Sequence, residues 1–266
     1  MNTHLVIDIP FSEQTELTPR SRKYVTCLQM VHKVLSQEIS ESISIHLFNQ
    51  IGLVAGFIDQ HLDELNIQQQ KCLLFNYDEL FTQLISANHY IIFKHEICNF
   101  VEQQKFEFHC EALHLKDLFI FIQHCKDLGI ENKLSHFGKR IIEIAIAKQT
   151  ASSTQNLIQE LKSEGEEVIK LLGSLLYVKH GQNSSFSSTL KLLTNLEHIL
   201  NVADDTLDVA SDKKRGIVST NLGPFHQLKM GKHLVIQIIR TIALYPLKTM
   251  YYAPRLTWYY FSKTLR

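Results

Sequence analysis

The stretch Ile43–Leu65, ISIHLFNQIGLVAGFIDQHLDEL, carries the clearest helical pattern in this chain. Its apolar residues recur every three or four positions, which is the spacing of one face of an α-helix. These positions are 43, 47, 51, 54, 58, 62 and 65. The stretch contains no proline, and the chain as a whole has none between positions 19 and 224. Because sheets and their turns normally need more proline and glycine, the pattern predicts an all-α protein.

The same argument, extended along the chain, predicts nine helices. They are expected near 20–37, 40–66, 77–104, 115–127, 132–150, 153–180, 187–214, 226–244 and 247–264. Loops are expected at NIQQQK (66–71) and GQNSSFSS (181–188), where Ser187 or Ser188 would cap the next helix. Segment 105–114 alternates weakly, so it stays open between helical and extended structure.

The sequence shows no repeat, no low-complexity linker and no shift in composition. Residues 1–266 are therefore expected to form a single domain, with residues 1–19 as an irregular N-terminal arm. Hydrophobic residues make up 45% of the chain and charged residues 20%, which is typical of a globular protein. A chain of this length can bury a core large enough to contain an internal pocket.

The charge balance and the cysteines disfavour a nucleic-acid-binding protein and a secreted protein. The 27 Lys and Arg residues balance the 27 Asp and Glu residues, whereas nucleic-acid-binding proteins usually carry a basic excess. Five cysteines without a CxxC pair suit a reducing compartment, and the histidines beside them lack zinc-site spacing. The N-terminus does not resemble a signal peptide, and no apolar run has the length of a membrane span. The expected location is the cytoplasm, at most peripheral to a membrane.

An acidic ladder lies in the stretch Asn201–Gly216, NVADDTLDVASDKKRG. Asp204, Asp208 and Asp212 follow one another at steps of four, which places them on one helix face and costs roughly 0.2–0.5 kcal/mol per pair in repulsion. The ladder continues a polar line that begins with Glu197 and Asn201, beside a predicted core stripe of Leu193, Leu196, Leu200, Ala203 and Leu207. Such a line is usually a solvated face, but a solvated face normally mixes charges of both signs.

A second acidic pair, Asp59 and Asp63, ends the helical stretch quoted first. Behind these carboxylates, along the same face, lie Gly56 or Ala55 and then Gly52. Small residues there would leave open space behind the acids, or they would allow another helix to pack closely. The sequence leaves both interpretations open.

Taken together, the two acidic segments favour a metal site. Carboxylates one helical turn apart are separated by about 6 Å of rise, so two such pairs on facing helices would hold several Mg²⁺ ions. The ions would cancel the repulsion and recruit a diphosphate. Lys213, Lys214 and Arg215 would add contacts to that diphosphate, and Gly216 would end the helix.

These features resemble the trans-isoprenoid (class I terpenoid) synthase superfamily. IDQHLDE is similar to the first motif of squalene and phytoene synthases, with Asp59, Asp63 and Glu64 at its acidic positions. DDTLDVASDKKRG is similar to their second motif, Asn-x-x-x-Asp-x-x-x-Asp-x-x-x-Gly, although Asp204 stands where that family has Asn. The same string also fits the Asp-Asp-x-x-Asp motif of polyprenyl diphosphate synthases. The Arg-Arg-Gly that follows the first motif in chain-elongating synthases is missing, which disfavours an isopentenyl-adding enzyme.

The resemblance implies a helical bundle around a central apolar cavity, in which a prenyl diphosphate is ionised with two or three Mg²⁺ ions and then cyclised or coupled. The residues it assigns to catalysis are Asp59, Asp63, Asp208 and Asp212. Metal binding would add Asp204 and Asp205. Substrate binding is assigned to Asn201, Lys214, Arg215, Gly173 and Ser174, the last two because they interrupt the apolar LLGSLLYV (171–178) and suggest a helix break at the cavity wall.

Two alternatives stay open beside this interpretation. The chain could be a non-catalytic helical protein that retains the fold and binds a lipid, or a scaffold whose acidic faces are only solvated. The C-terminal stretch KTMYYAPRLTWYYFSKTLR (248–266) combines aromatic and basic residues. That composition is typical of a segment at a membrane interface, and equally of a last core helix.

Overall fold

The computed structural model describes residues 19–38, 45–106, 112–180, 184–215 and 225–252. Every regular element within these ranges is helical, which confirms the all-α prediction. The helices are α1 (Pro19–Glu38), α2 (Ile45–Glu64), α3 (Ile67–Ser86), α4 (Tyr90–Gln104), α5 (Ala112–Asp127), α6 (Glu131–Thr150), α7 (Thr154–His180), α8 (Ser184–Arg215) and α9 (His226–Leu244). A short helical segment follows at 246–252.

One continuous apolar core joins side chains from α1 through α8, with Phe48, Phe93 and Leu172 among its fully buried members. Helix α6 packs against both α3 and α7, and α8 lies between α7 and α9. A second, smaller apolar cluster fills the junction of α7, α8 and α9. The arrangement brings α2, α6, α7 and α8 around a common space.

The start of α3 differs from the prediction. The expected loop at 66–71 is in fact the beginning of a helix, because Asn66 and Gln69 form a capping box. Asn66 Oδ1 accepts hydrogen bonds from the backbone N–H groups of Gln68 (3.0 Å) and Gln69 (3.1 Å), and Gln69 Oε1 accepts from Asn66 N–H (2.9 Å). The helix expected at 77–104 is two helices, since α3 ends at Ser86 and α4 begins at Tyr90.

Helix α8 also departs from its prediction. It begins at Ser184, so Ser187 and Ser188 lie inside the helix rather than at its cap. The core stripe was predicted through Leu200, but that side chain is 36% exposed, while His198 and Val202 are buried. The reason is that α8 contacts helices on two sides, α7 and α9, whereas a single stripe assumes one. The helix ends at Arg215, just before Gly216, which lies outside the described residues.

The contact between α8 and α9 contains a pair of histidines. His198 Nε2 lies 3.0 Å from His233 Nε2, and His198 is buried. Burial, followed by the charges of His233 and Lys162, lowers the pKa of His198 to about 4. The pKa of His233 is lowered as well, by burial and by Lys162. The packing of α9 on α8 therefore favours neutral imidazoles.

We expect the protein to lose stability as the pH falls from about 6.5 to about 4. In this window an unfolded histidine binds a proton that folded His198 does not, so the free energy of unfolding falls as the pH falls. The shift corresponds to about 3 kcal/mol, and solvent screening of the imidazole reduces this to about 2 kcal/mol. Urea unfolding at several pH values measures this slope. His198→Gln should flatten it, whereas the exposed His136, changed to Gln, should leave it intact. An unchanged slope in His198→Gln would contradict the assignment.

Candidate functional site

A pocket opens between α2, α6, α7 and α8. The centre of a water-sized molecule can occupy about 40 Å³ inside it, and the empty space reaches about 670 Å³ only when open solvent at the mouth is included. Its apolar wall is formed by Ala55, Ile58, Leu62, Phe137, Ile141, Ala145 and Val168. Its polar lining consists of Tyr24, Asp59, Asp63, Gln70, Lys148, Gln149, Glu164, Glu197 and Asn201. The pocket thus combines an apolar wall with a concentration of charged and amide side chains.

The predicted acidic pair of α2 and the beginning of the predicted polar line of α8 meet at this pocket. Asp59 and Asp63 reach it from the last turns of α2, and Glu197 and Asn201 reach it from α8. More than 130 residues separate the two pairs in the sequence. Asp205, one turn beyond Asn201, is near enough to act electrostatically on a pocket residue, Lys148. The polar line of α8 therefore faces other helices along this part of its length.

The backbone of α8 includes the predicted site residues Asp204, Asp208, Asp212, Lys214 and Arg215. Their side chains are not among those that the structure describes. Their assignment to metal or diphosphate binding stays a prediction.

Lys148 on α6 is a buried cation on which several acidic side chains of the site act electrostatically. Its Nζ lies 3.3 Å from Glu164 Oε2, and both side chains are largely buried. Burial lowers the pKa of Lys148, but the negative charges of Glu164, Asp205, Asp59 and Asp63 outweigh it and raise the pKa above its ordinary value. Lys148 is therefore a charged ammonium group at neutral pH. Neither Lys148 nor Glu164 was among the residues predicted from the sequence.

Gln70 holds the acidic end of α2. Its Nε2 donates to the backbone carbonyl of Leu62 at 2.8 Å and to that of Leu65 at 3.4 Å. These bonds reinforce the end of α2, where the Leu62 carbonyl also accepts the Leu65 N–H at 3.3 Å. Gln70 is buried against the pocket, and no described residue donates a hydrogen bond to its Oε1. That oxygen can accept from a donor that enters the pocket.

Glycine 165 allows α8 to present its polar side chains beside α7. A Cβ atom at this position would come within 2.8 Å of Glu197 Cγ. The absence of a side chain on α7 therefore leaves room for Glu197. Asn201 contacts the same helix, where its Nδ2 donates a hydrogen bond to the backbone carbonyl of Leu161 at 3.4 Å.

The small residues of α2 serve two different purposes. A Cβ on Gly52 would lie 2.7 Å from Val25 Cα, so this glycine permits close packing of α1 and leaves no open space. Ala55 does line the pocket. Glu64 is exposed and contacts His61, with 2.9 Å between Glu64 Oε2 and His61 Nδ1, and it is not part of the pocket lining. The first motif therefore contributes Asp59 and Asp63 to the pocket.

The helix break predicted at Gly173 and Ser174 is wrong, since α7 runs without interruption from Thr154 to His180. A Cβ on Gly173 would lie 3.1 Å from Leu190 Cδ1, which shows that this glycine accommodates α8. Ser174 Oγ donates to the carbonyl of Lys170 at 2.9 Å, within the helix. Neither residue lines the pocket.

The side chains at the pocket can be compared with the ligands that Mg²⁺ prefers. Within the part of the chain that the structure describes, no group of three or more His, Cys, Asp and Glu side chains is placed to hold a metal ion. Carboxylate oxygens are nevertheless the donors that Mg²⁺ prefers, and Mg²⁺ commonly takes only one or two carboxylates beside phosphate and water oxygens. The described side chains therefore do not form a complete Mg²⁺ site by themselves.

Neither family profiles, nor curated proteins, nor solved structures give a match to this chain. The functional argument therefore depends on the pocket and on the two motifs.

Proposed function

We propose that this chain is a Mg²⁺-dependent enzyme of the class I terpenoid synthase type, which ionises a prenyl diphosphate and then cyclises or couples the allylic cation. The observation that carries the proposal is the meeting of Asp59 and Asp63 with Glu197 and Asn201 at one pocket with an apolar wall. A prenyl diphosphate needs both parts, because its chain is apolar and its head is highly charged.

The apolar wall suits the prenyl chain and the reaction. Ile58, Leu62 and Ile141 offer saturated surface without nucleophilic atoms. Such a surface excludes water, so an allylic cation formed there survives long enough to rearrange or to meet a second substrate. The wall would thereby favour carbon–carbon bond formation over simple hydrolysis.

The polar end suits the leaving diphosphate. Asp59 and Asp63, together with acidic residues of α8, would hold Mg²⁺, and the bound ions would stabilise the charge that develops on the leaving group. Lys148 can donate hydrogen bonds to a phosphate oxygen while Glu164 keeps its ammonium group in place. Gln70 positions the end of α2 that carries Asp63.

A register of α8 that starts three residues before the match of Asp204, Asp208, Asp212 and Gly216 supports the proposal in part. Asn201 and Asp205 have the Asn-x-x-x-Asp spacing with which the second motif of squalene and phytoene synthases begins. Asn201 lines the pocket and Asp205 acts on Lys148. In this register Val209 and Lys213 occupy the next two motif positions, so the agreement covers the first half of the motif.

The proposal is tested by incubating the protein with Mg²⁺ and prenyl diphosphates of ten to twenty carbons, and by analysing organic extracts by mass spectrometry. We expect release of diphosphate together with a hydrocarbon or an alcohol. Asp59→Asn should lower the rate on the order of a hundredfold, because it removes a charged group at the leaving diphosphate. Asp127→Asn, at the exposed end of α5, is the matched control and should keep full activity.

Two results would overturn this proposal. One is the absence of product and of released diphosphate with every chain length. The other is an Asp59→Asn variant as active as the wild type.

Lys148 favours one second candidate, a non-catalytic lipid-binding protein. Its ammonium group already neutralises part of the charge of the surrounding acids, so the pocket can be stable without a metal ion. In that case a prenyl ligand would bind equally well with Mg²⁺ and with EDTA, and no turnover would follow. Calorimetric titration under both conditions distinguishes the two candidates.

A further inference from the structure

The outer face of α9 is apolar and open to solvent. Leu228, Val235 and Ile239 are 71%, 55% and 62% exposed, and their spacing places them on one side of the helix. The opposite side is the one that packs on the protein, through Met230 and Thr241. None of the described helices has both the length and the apolar character needed to cross a bilayer. An exposed apolar face of this extent marks an interaction surface.

The charged residues of α9 and of the sequence around it have a single sign. From Lys213 to the last residue, Arg266, the chain contains ten Lys and Arg residues and no Asp or Glu. Lys229, Lys232 and Arg240 lie on α9 itself and are exposed. A surface that combines exposed apolar side chains with basic ones is complementary to a partner that is both apolar and anionic.

We propose that the outer face of α9 binds an anionic membrane surface. Leu228, Val235 and Ile239 would enter the boundary between headgroups and acyl chains, and the three basic residues would contact the lipid phosphates. This inference goes beyond the proposed function and does not depend on it. It places the membrane contact on α9, in addition to the aromatic and basic segment 248–266 that the sequence singled out.

The same face could instead bind a second copy of this chain. Repulsion between basic residues disfavours such a dimer. Two α9 helices in a twofold contact would bring Lys229, Lys232 and Arg240 near the same residues of the partner. The chain offers no Asp or Glu after Asp212 to pair with them. Like charges brought together in this way weaken an interface.

The test is co-sedimentation of the whole chain with vesicles of phosphatidylcholine alone, or mixed with phosphatidylglycerol. We expect binding to the mixed vesicles only, weakened by salt. The triple variant Lys229→Gln, Lys232→Gln, Arg240→Gln should reduce partitioning on the order of a hundredfold, and the double variant Val235→Gln, Ile239→Gln by about tenfold or more. Phe75→Gln with Ile91→Gln is the matched control, since these side chains are 88% and 81% exposed on α3 and α4.

The control should bind as the wild type does, and circular dichroism should show the same helix content in all variants. The proposal falls if the wild type shows no preference for anionic vesicles, or if the control loses binding as strongly as the α9 variants. It also falls if light scattering shows a dimer that Val235→Gln with Ile239→Gln dissociates, because a second copy then covers the face. None of these measurements uses enzyme activity, so the result is independent of the proposed reaction.

Discussion

Lys148→Met is expected to lower the free energy of unfolding by about 3–5 kcal/mol at neutral pH. The substitution keeps the length of the side chain but removes the cation that Glu164, Asp205, Asp59 and Asp63 share. The folded-state pKa of Lys148 is raised above its unfolded value, so its contribution to stability is fully present at neutral pH and is lost only in strong base. Without it, partly buried carboxylates repel one another with no compensating charge.

Urea unfolding of wild type and variant measures this loss. Lys139→Met is the matched control, because Lys139 pairs with Asp78 at 2.7 Å on the exposed surface, where such a pair contributes about 1 kcal/mol or less. If Lys148→Met is no less stable than Lys139→Met, the acids do not converge on this lysine.

Gly52→Val is expected to destabilise the fold by about 3 kcal/mol or more. The new Cβ would lie 2.7 Å from Val25 Cα and 2.9 Å from Val25 N. Both are backbone atoms of α1, so no side-chain rotation relieves the overlap, and the two helices must separate. Their separation would disturb the end of α2 that carries Asp59 and Asp63.

Gly231→Val is the control for this prediction. A Cβ at Gly231, in α9, would meet nothing within 4 Å, and valine is a slightly better helix former than glycine. Its free energy of unfolding should stay within about 0.5 kcal/mol of the wild type. Thermal or urea unfolding separates the two cases. Equal stability of Gly52→Val and Gly231→Val would show that α1 does not pack on Gly52.

Most of the helical fold follows from periodicity and from the scarcity of proline, and the errors arise where contacts outside the pattern decide the structure. The break between α3 and α4, at Ala87–His89, contains no glycine or proline. It is supported from α5, where Gln123 Nε2 donates to the Ala87 carbonyl and Lys126 Nζ to the Ile85 carbonyl, each at 3.0 Å. Such tertiary contacts leave no pattern in the neighbouring sequence.

The candidate site was predictable in part for a related reason. Asp59, Asp63 and Asn201 belong to acidic or polar lines at helical spacing, and this regularity points to a shared face. Lys148 and Glu164 are single charged residues in ordinary amphipathic helices. Their role arises only when α6 and α7 pack beside α2 and α8, which is a property of the fold.

The central claim, that α2 and α8 build one site for a prenyl diphosphate, is tested most directly by crystallography. Crystals would be soaked with Mn²⁺, which reports its position by anomalous scattering, and with a prenyl thiodiphosphate that resists ionisation. We expect the diphosphate beside Asp59, Asp63 and Asn201, with the prenyl chain against Ile58 and Ile141. A ligand bound elsewhere, or a pocket that stays free of both metal and ligand at saturating concentration, would contradict the claim.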